Sequence, residues 1–129
     1  MKSGRGRLRV VLVGLLTLAA TSANAGWVKV GGRGSDAYYI DPATIQKEGN
    51  IRKAQTLTDL KVRGRHGELS RRSLDEYDCN ARRRRVLSLT EHSGQMGDGN
   101  VLVSDQVGGK WYHVQPDTAG GIKLNAVCR

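Results

Sequence analysis

From Gly26 onward, apolar and polar residues alternate in short runs broken by glycine-rich turns. That two-residue period marks half-buried strands rather than helices. Gly26 to Val30 (GWVKV) reads as a first strand, Gly31 to Ser35 as a flexible turn, and Asp36 to Ile40 (DAYYI) as a second strand. Asp41-Pro42 is a common start for a helical turn, because Asp caps and Pro suits the first helical position. Gly49-Asn50 ends that turn. Ile51 to Leu60 is rich in threonine and branched residues and predicts a long strand. Lys61 to Arg72 reads as a loop or frayed strand ends. Ser73 to Cys79 predicts a strand with Tyr77 and Cys79 on the core face. Arg83 to His92 follows, with Leu87 and Leu89 on one face, then a Gly94 to Gly99 loop and short strands at Val101 to Ser104 and Lys110 to Val114. Pro116-Asp117-Thr118 opens a final helix running to Cys128. Gly120 and Gly121 weaken that helix by roughly 1 kcal/mol each relative to Ala. The expected fold is α+β: an antiparallel sheet of about six strands, with a short C-terminal helix covering one face.

The N-terminal segment obeys a different pattern. Lys2, Arg5, Arg7 and Arg9 form a basic region, and Val10 to Ala20 is apolar apart from Gly14 and Thr17. Ala23-Asn24-Ala25 then offers small residues where a signal peptidase reads. Residues 1–25 are therefore expected to be a secretory signal peptide cleaved after Ala25, leaving residues 26–129 as one exported domain. The apolar run falls short of the roughly 20 residues that span a bilayer, and no second such run follows. No cysteine stands near the cleavage site, so no lipid anchor is expected there.

Export changes how the cysteines and the charge are read. Cys79 and Cys128 are the 2 cysteines of the chain. In an oxidising compartment they are expected to form one structural disulfide, with buried free thiols or intermolecular bridges as weaker alternatives. The three histidines, His66, His92 and His113, are scattered, which argues against a zinc site. The formal charge of the whole chain is +9, from 21 basic and 12 acidic residues. Losing four basic residues with the signal peptide leaves +5. That surplus favours anionic partners without specifying one.

Catalytic chemistry is not written into the pattern. Ser70, Ser73, Ser88, Ser93 and Ser104 occupy no nucleophile elbow. His66 and His92 read as surface histidines, and His113, alternating with Trp111, as partly buried. Asp75 and Glu76 point to opposite faces of their strand, so Asp75, Glu76 and Asp78 are expected to balance nearby arginines rather than work as a carboxylate pair. Gly94, Gly97 and Gly99 lack the lysine and the strand–helix context of a phosphate loop. The conspicuous cluster is Arg82, Arg83, Arg84 and Arg85, a candidate polyanion-binding patch. Strand alternation sends Arg83 and Arg85 one way and Arg82 and Arg84 the other, and no base-stacking aromatic is adjacent in sequence.

Six segments, taken in order, carry a resemblance: Tyr38 to Ile45 (YYIDPATI), Thr56 to Leu60 (TLTDL), Glu76 to Cys79 (EYDC), Ser93 to Gly97 (SGQMG), Trp111 to Pro116 (WYHVQP) and Val127-Cys128. Together they resemble the surface-adhesin protein E family of Gram-negative bacteria. The resemblance implies a small antiparallel sheet with its C-terminal helix tethered by a disulfide, and no enzyme activity or cofactor. It also implies binding of host matrix and serum proteins such as vitronectin and laminin, and dimerisation. The resulting expectation is an exported, non-enzymatic binding domain. Its partner would be a host extracellular-matrix protein or an anionic polysaccharide, and a homodimer would form through sheet edges. The alternative is a periplasmic envelope-maintenance or stress protein with no host ligand.

Overall fold

The computed structural model describes residues 26–129 together with Gly14, so the expected signal peptide and its cleavage site lie outside the described residues. The strands are β1 (Val28–Arg33), β2 (Asp36–Ile40), β3 (Gln46–Glu48), β4 (Ile51–Asp59), β5 (Ser70–Asp78), β6 (Arg83–His92), β7 (Val101–Gln106) and β8 (Tyr112–His113). One helix, α1 (Ala119–Val127), closes the chain. All strands belong to one 8-stranded antiparallel sheet whose main path runs β1-β2-β4-β5-β6-β7. These six strands, and the short β8, fall where alternation predicts strands. The one addition is β3, which lies along the same edge of β4 as β2, while β8 lies along the same edge of β6 as β7. Strand β3 is absent from the sequence reading because Gln46-Lys47-Glu48 carries no apolar residue and is exposed throughout. Gly49-Asn50 is therefore a hairpin turn into β4 rather than a helix end.

Several boundaries shift for physical reasons. Strand β1 continues through Gly31 and Gly32, where the sequence suggested a turn. A Cβ on Gly31 would come within 2.7 Å of Ile122 on α1, so the missing side chain lets the helix sit against the strand. Strand β5 begins at Ser70, three residues early, because its pairing with β4 continues to Asp59↔Ser70. The last predicted strand shrinks to Tyr112-His113. Asp41 and Pro42 do start a single 3-10 turn, Pro42–Thr44, with the Asp41 carboxylate accepting from the Ala43 amide.

Residues opposite one another in an antiparallel pair share a face. Ile40, Ala54, Thr56, Ser73, Asp75 and Tyr77 therefore stand on one side, and α1 packs against it. Ile40, Ala54 and Tyr77 meet Val114, Leu124 and Val127 in the core cluster. Thr118 caps the helix through a hydrogen bond from the Gly121 amide. Gly121 is required by close approach: a Cβ there would collide with the Gln115 carbonyl. The propensity lost at this glycine is the condition for the helix start to lie this close to the preceding chain.

Cys79, just after β5, is bonded to Cys128 at the helix end, with 5.7 Å between Cα atoms. The single-disulfide reading holds, and the described residues contain no free cysteine. Tyr77 is fully buried as predicted, while Cys79 is half-buried beside the core.

Candidate functional site

Strand β6 carries the arginine run, and one irregularity decides what each arginine does. Leu74 faces Ser88 but Asp75 faces Val86, so Leu87 is an extra residue bulged out of register. The bulge shifts the alternation that Leu89 would otherwise impose. Arg84, opposite Tyr77, stands on the helix side, and Arg83 and Arg85 stand on the open side opposite Asp78 and Glu76. Arg82 lies in the turn before β6 at φ 52° and donates to Asn125 Oδ1 on α1.

On the open side, the carboxylates balance the arginines as the sequence reading expected. Arg83 donates to Asp78 and Arg85 to Glu76, each at 3.1 Å. The backbone amide of Ala81, and then Arg83, hold the Asp78 carboxyl below its ordinary range. These pairs are partly exposed, where solvent screening leaves an ion pair little net stabilisation. Trp111 completes the arrangement, with the Arg85 guanidinium 4.7 Å and the Arg83 guanidinium 5.6 Å from its ring centroid. The expectation that no aromatic accompanies the arginines is thus corrected. Trp111 is remote in sequence and arrives beside Arg83 and Arg85 because the next residues, Tyr112 and His113, pair with Arg84 and Arg83. Next to this stack is a surface depression of about 390 Å³ lined by Lys47, Glu48, Lys53, Glu76 and Arg85, among others.

On the helix side, Asp75 is fully buried and one of its oxygens, Oδ2, accepts from Thr56, Tyr77 and Arg84 at 2.8, 2.9 and 2.9 Å. Burial, followed by the neighbouring Asp75 charge, pushes the Tyr77 hydroxyl well above its usual value. Burial alone would lower Arg84, but Asp75 overrides it and holds the guanidinium charged. Arg84 is therefore a core cation and not part of a surface patch. The four consecutive arginines do not form one continuous surface.

A third cluster escaped the sequence reading altogether. His66 Nδ1 is 2.7 Å from Glu91 Oε2, and Glu68, fully buried, accepts from Arg71 and from the His66 amide. The Arg71 hydrogen bond holds Glu68 down to about 2. The His66, Glu68 and Glu91 ligand atoms lie within 4.8 Å of one another, close enough for a metal ion. However, the Arg71 guanidinium bonds Glu68 and lies 3.7 Å from Glu91, supplying the cation itself. This arrangement organises the Gly64–Gly67 turn, whose backbone lies against the Glu68 carboxylate. Two other histidines differ from expectation. His92 is buried rather than superficial, bonded to Thr90 and lowered by burial, and His113 is exposed rather than partly buried. His92 is drawn inward because its strand continues beneath the Gly94 loop, and β8 is an edge strand that leaves His113 facing out.

The fold is a single antiparallel sheet, with one face covered by a disulfide-tethered helix and the other presenting Arg83 and Arg85 stacked on Trp111. The family model of surface-adhesin protein E matches residues 27–129, and the chain belongs to that family. Its fold is similar to that of Haemophilus influenzae protein E. Crystal form II of that protein matches with TM-score 0.64 and 15% identity over 81% of this chain and 87% of that one. The structure of non-typeable Haemophilus influenzae protein E matches with TM-score 0.56 and 16% identity over 81% and 76%. No curated protein is similar enough in sequence to count as a match. The family is one of surface adhesins and not an enzyme class, and the disulfide suits an exported protein.

Proposed function

We propose that residues 26–129 form an exported, non-enzymatic binding domain that meets an anionic surface, on a host extracellular-matrix protein or an anionic polysaccharide, through Arg83, Arg85 and Trp111. The stack of two guanidiniums on one indole, on the face that α1 leaves open, carries this reading. The ring, together with the Asp78 and Glu76 carboxylates, positions both guanidiniums, so less side-chain freedom is lost when they bind an anion. Lys47 and Lys53 line the depression beside the stack, with Glu48 and Glu76 offsetting part of their charge. Arg82 and Arg84 contribute little to contact, since one is tied to Asn125 and the other to Asp75.

Export rests on the signal-peptide pattern of residues 1–25, with cleavage after Ala25. Edge strands β1 and β7 support a homodimer, because each exposes one unpaired row of backbone groups. Val101 and Leu102 on β7 are both exposed and favour that edge. The binding test is retention on immobilised heparin and on immobilised matrix protein. Replacing Arg83 and Arg85 together with serine should lower the salt needed for elution, and unchanged elution would overturn the proposed surface.

The second reading is a periplasmic envelope-maintenance or stress protein without a host ligand. The Cys79–Cys128 bond supports it equally, since the periplasm is an oxidising compartment.

A further inference from the structure

The helix side of the sheet holds a groove of about 250 Å³, between Ala119 and Lys123 of α1 and Tyr38, Thr58, Arg71 and Arg84 of the sheet. Lys123 is only 3% exposed, yet its ammonium makes a single hydrogen bond, to Thr58 Oγ1 at 2.9 Å. None of the ion pairs among the described residues includes it. An ammonium has three donors, so two are left without a protein acceptor, and the ammonium also lies 5.9 Å from the centre of the Tyr38 ring. Arg71 and Arg84 line the same groove and each has a buried Nε without a hydrogen bond, although their guanidiniums pair with Glu68, Glu91 and Asp75. Ala119 adds the first turn of a helix, where the backbone dipole favours negative charge. Against these donors stand the Asp36 carboxylate on the groove wall and one orphan acceptor, Asp75 Oδ1, buried beneath.

Buried polar groups without partners are rare and call for an explanation. A single water joining Lys123 to Asp75 would satisfy one donor and leave the excess. We infer that the groove binds one small oxyanion, a sulfate, phosphate or carboxylate group, either free or as the end group of an acidic saccharide. The oxyanion would accept from Lys123 while its charge faces the start of α1. This site is separate from the Arg83–Trp111–Arg85 surface, which lies on the opposite face of the sheet, and does not depend on it.

Amide chemical shifts followed during titration with sodium sulfate, against sodium chloride at matched ionic strength, test the site. A disaccharide prepared from heparin serves as a second probe. The expected result is saturable, sulfate-specific movement at Thr58, Ala119 and Lys123, lost in Lys123→Met and retained in the Arg83→Ser, Arg85→Ser variant. Saturation by the disaccharide at lower concentration than by sulfate would identify the saccharide end group, and the reverse order a free anion. Thr58→Val, which keeps the lysine, should raise the saturating concentration several-fold. Shifts that do not saturate, or that persist unchanged in Lys123→Met, overturn the inference.

Discussion

Arg84 Nη2 lies 2.9 Å from Asp75 Oδ2, and the two side chains form an ion pair inside the sheet–helix core. Asp75 is fully buried and Arg84 nearly so. Burying two charges is costly in itself, but removing one partner is worse, because the other is left uncompensated. Arg84→Met should therefore destabilise the domain by about 3–5 kcal/mol. Arg83→Met, which breaks an exposed pair, should change stability far less. Urea denaturation of both variants checks the contrast, and equal effects would refute the separate roles given to adjacent arginines.

The Cys79–Cys128 bond closes a loop with a sequence separation of 49. On the chain-entropy argument such a loop contributes about 4 kcal/mol by restricting the unfolded chain. Reduction, or replacement of both cysteines with alanine, should lower the denaturation midpoint accordingly. An unchanged midpoint would show that helix packing alone holds the C-terminus.

Lys123 makes the opposite prediction. Burial pulls its ammonium down to about 8, against the attraction of Asp75. Its folded value lies below its unfolded one, so the unfolded chain binds more protons between about pH 8 and 10.4 and stability should rise with pH across that window. At neutral pH the buried charge lowers stability by on the order of 3 kcal/mol. Lys123→Met should accordingly be more stable than the parent at pH 7, with the advantage shrinking above pH 8. Thermal midpoints at pH 7 and pH 10 measure this. A less stable variant at pH 7 would mean that Lys123 is better paired than its one hydrogen bond indicates.

Glu68 governs the acid side. Its hydrogen bond from Arg71 holds it down to about 2, against an unfolded value near 4.3. The stability it provides is present above the unfolded value and is lost as pH falls toward 2. Glu68→Gln should be less stable at pH 7 and show a shallower decline between pH 5 and 2. A decline as steep as the parent's would assign acid sensitivity to other carboxylates.

Trp111 fluorescence reports on the open face directly. Heparin fragments added to the parent protein should change its emission, because the arginines stacked on the ring are the proposed contacts. The Arg83→Ser, Arg85→Ser variant should show a reduced change. Equal changes in both would place binding elsewhere.

Much of this architecture is legible in the chain because each long strand is bounded by turn residues and has one face buried. Arg83 to His92 matches β6 end to end. Thr118 follows Pro116-Asp117 as the expected start of α1. Features set by contacts remote in sequence were not legible. Gly31 reads as a turn residue until Ile122 packs against it, and Gln46 to Glu48 has no pattern of its own before β4 offers an edge. The site was half legible. Alternation alone separates Arg83 and Arg85 from Arg82 and Arg84. The bulge at Leu87 then fixes which pair faces the helix, and bulges leave no composition mark when the extra residue is an ordinary leucine. Trp111, Lys123 and Glu68 acquire their roles from neighbours dozens of residues or a whole turn away, so periodicity could not show them.

Whether this domain acts at the cell surface is the question on which the binding account depends. Protease digestion of intact cells producing the full chain addresses it, with detection of the domain before and after the outer membrane is permeabilised. The account predicts that the domain is degraded on intact cells or recovered in the medium. A domain fully protected until permeabilisation, and then degraded, would contradict the adhesin reading and favour the periplasmic one.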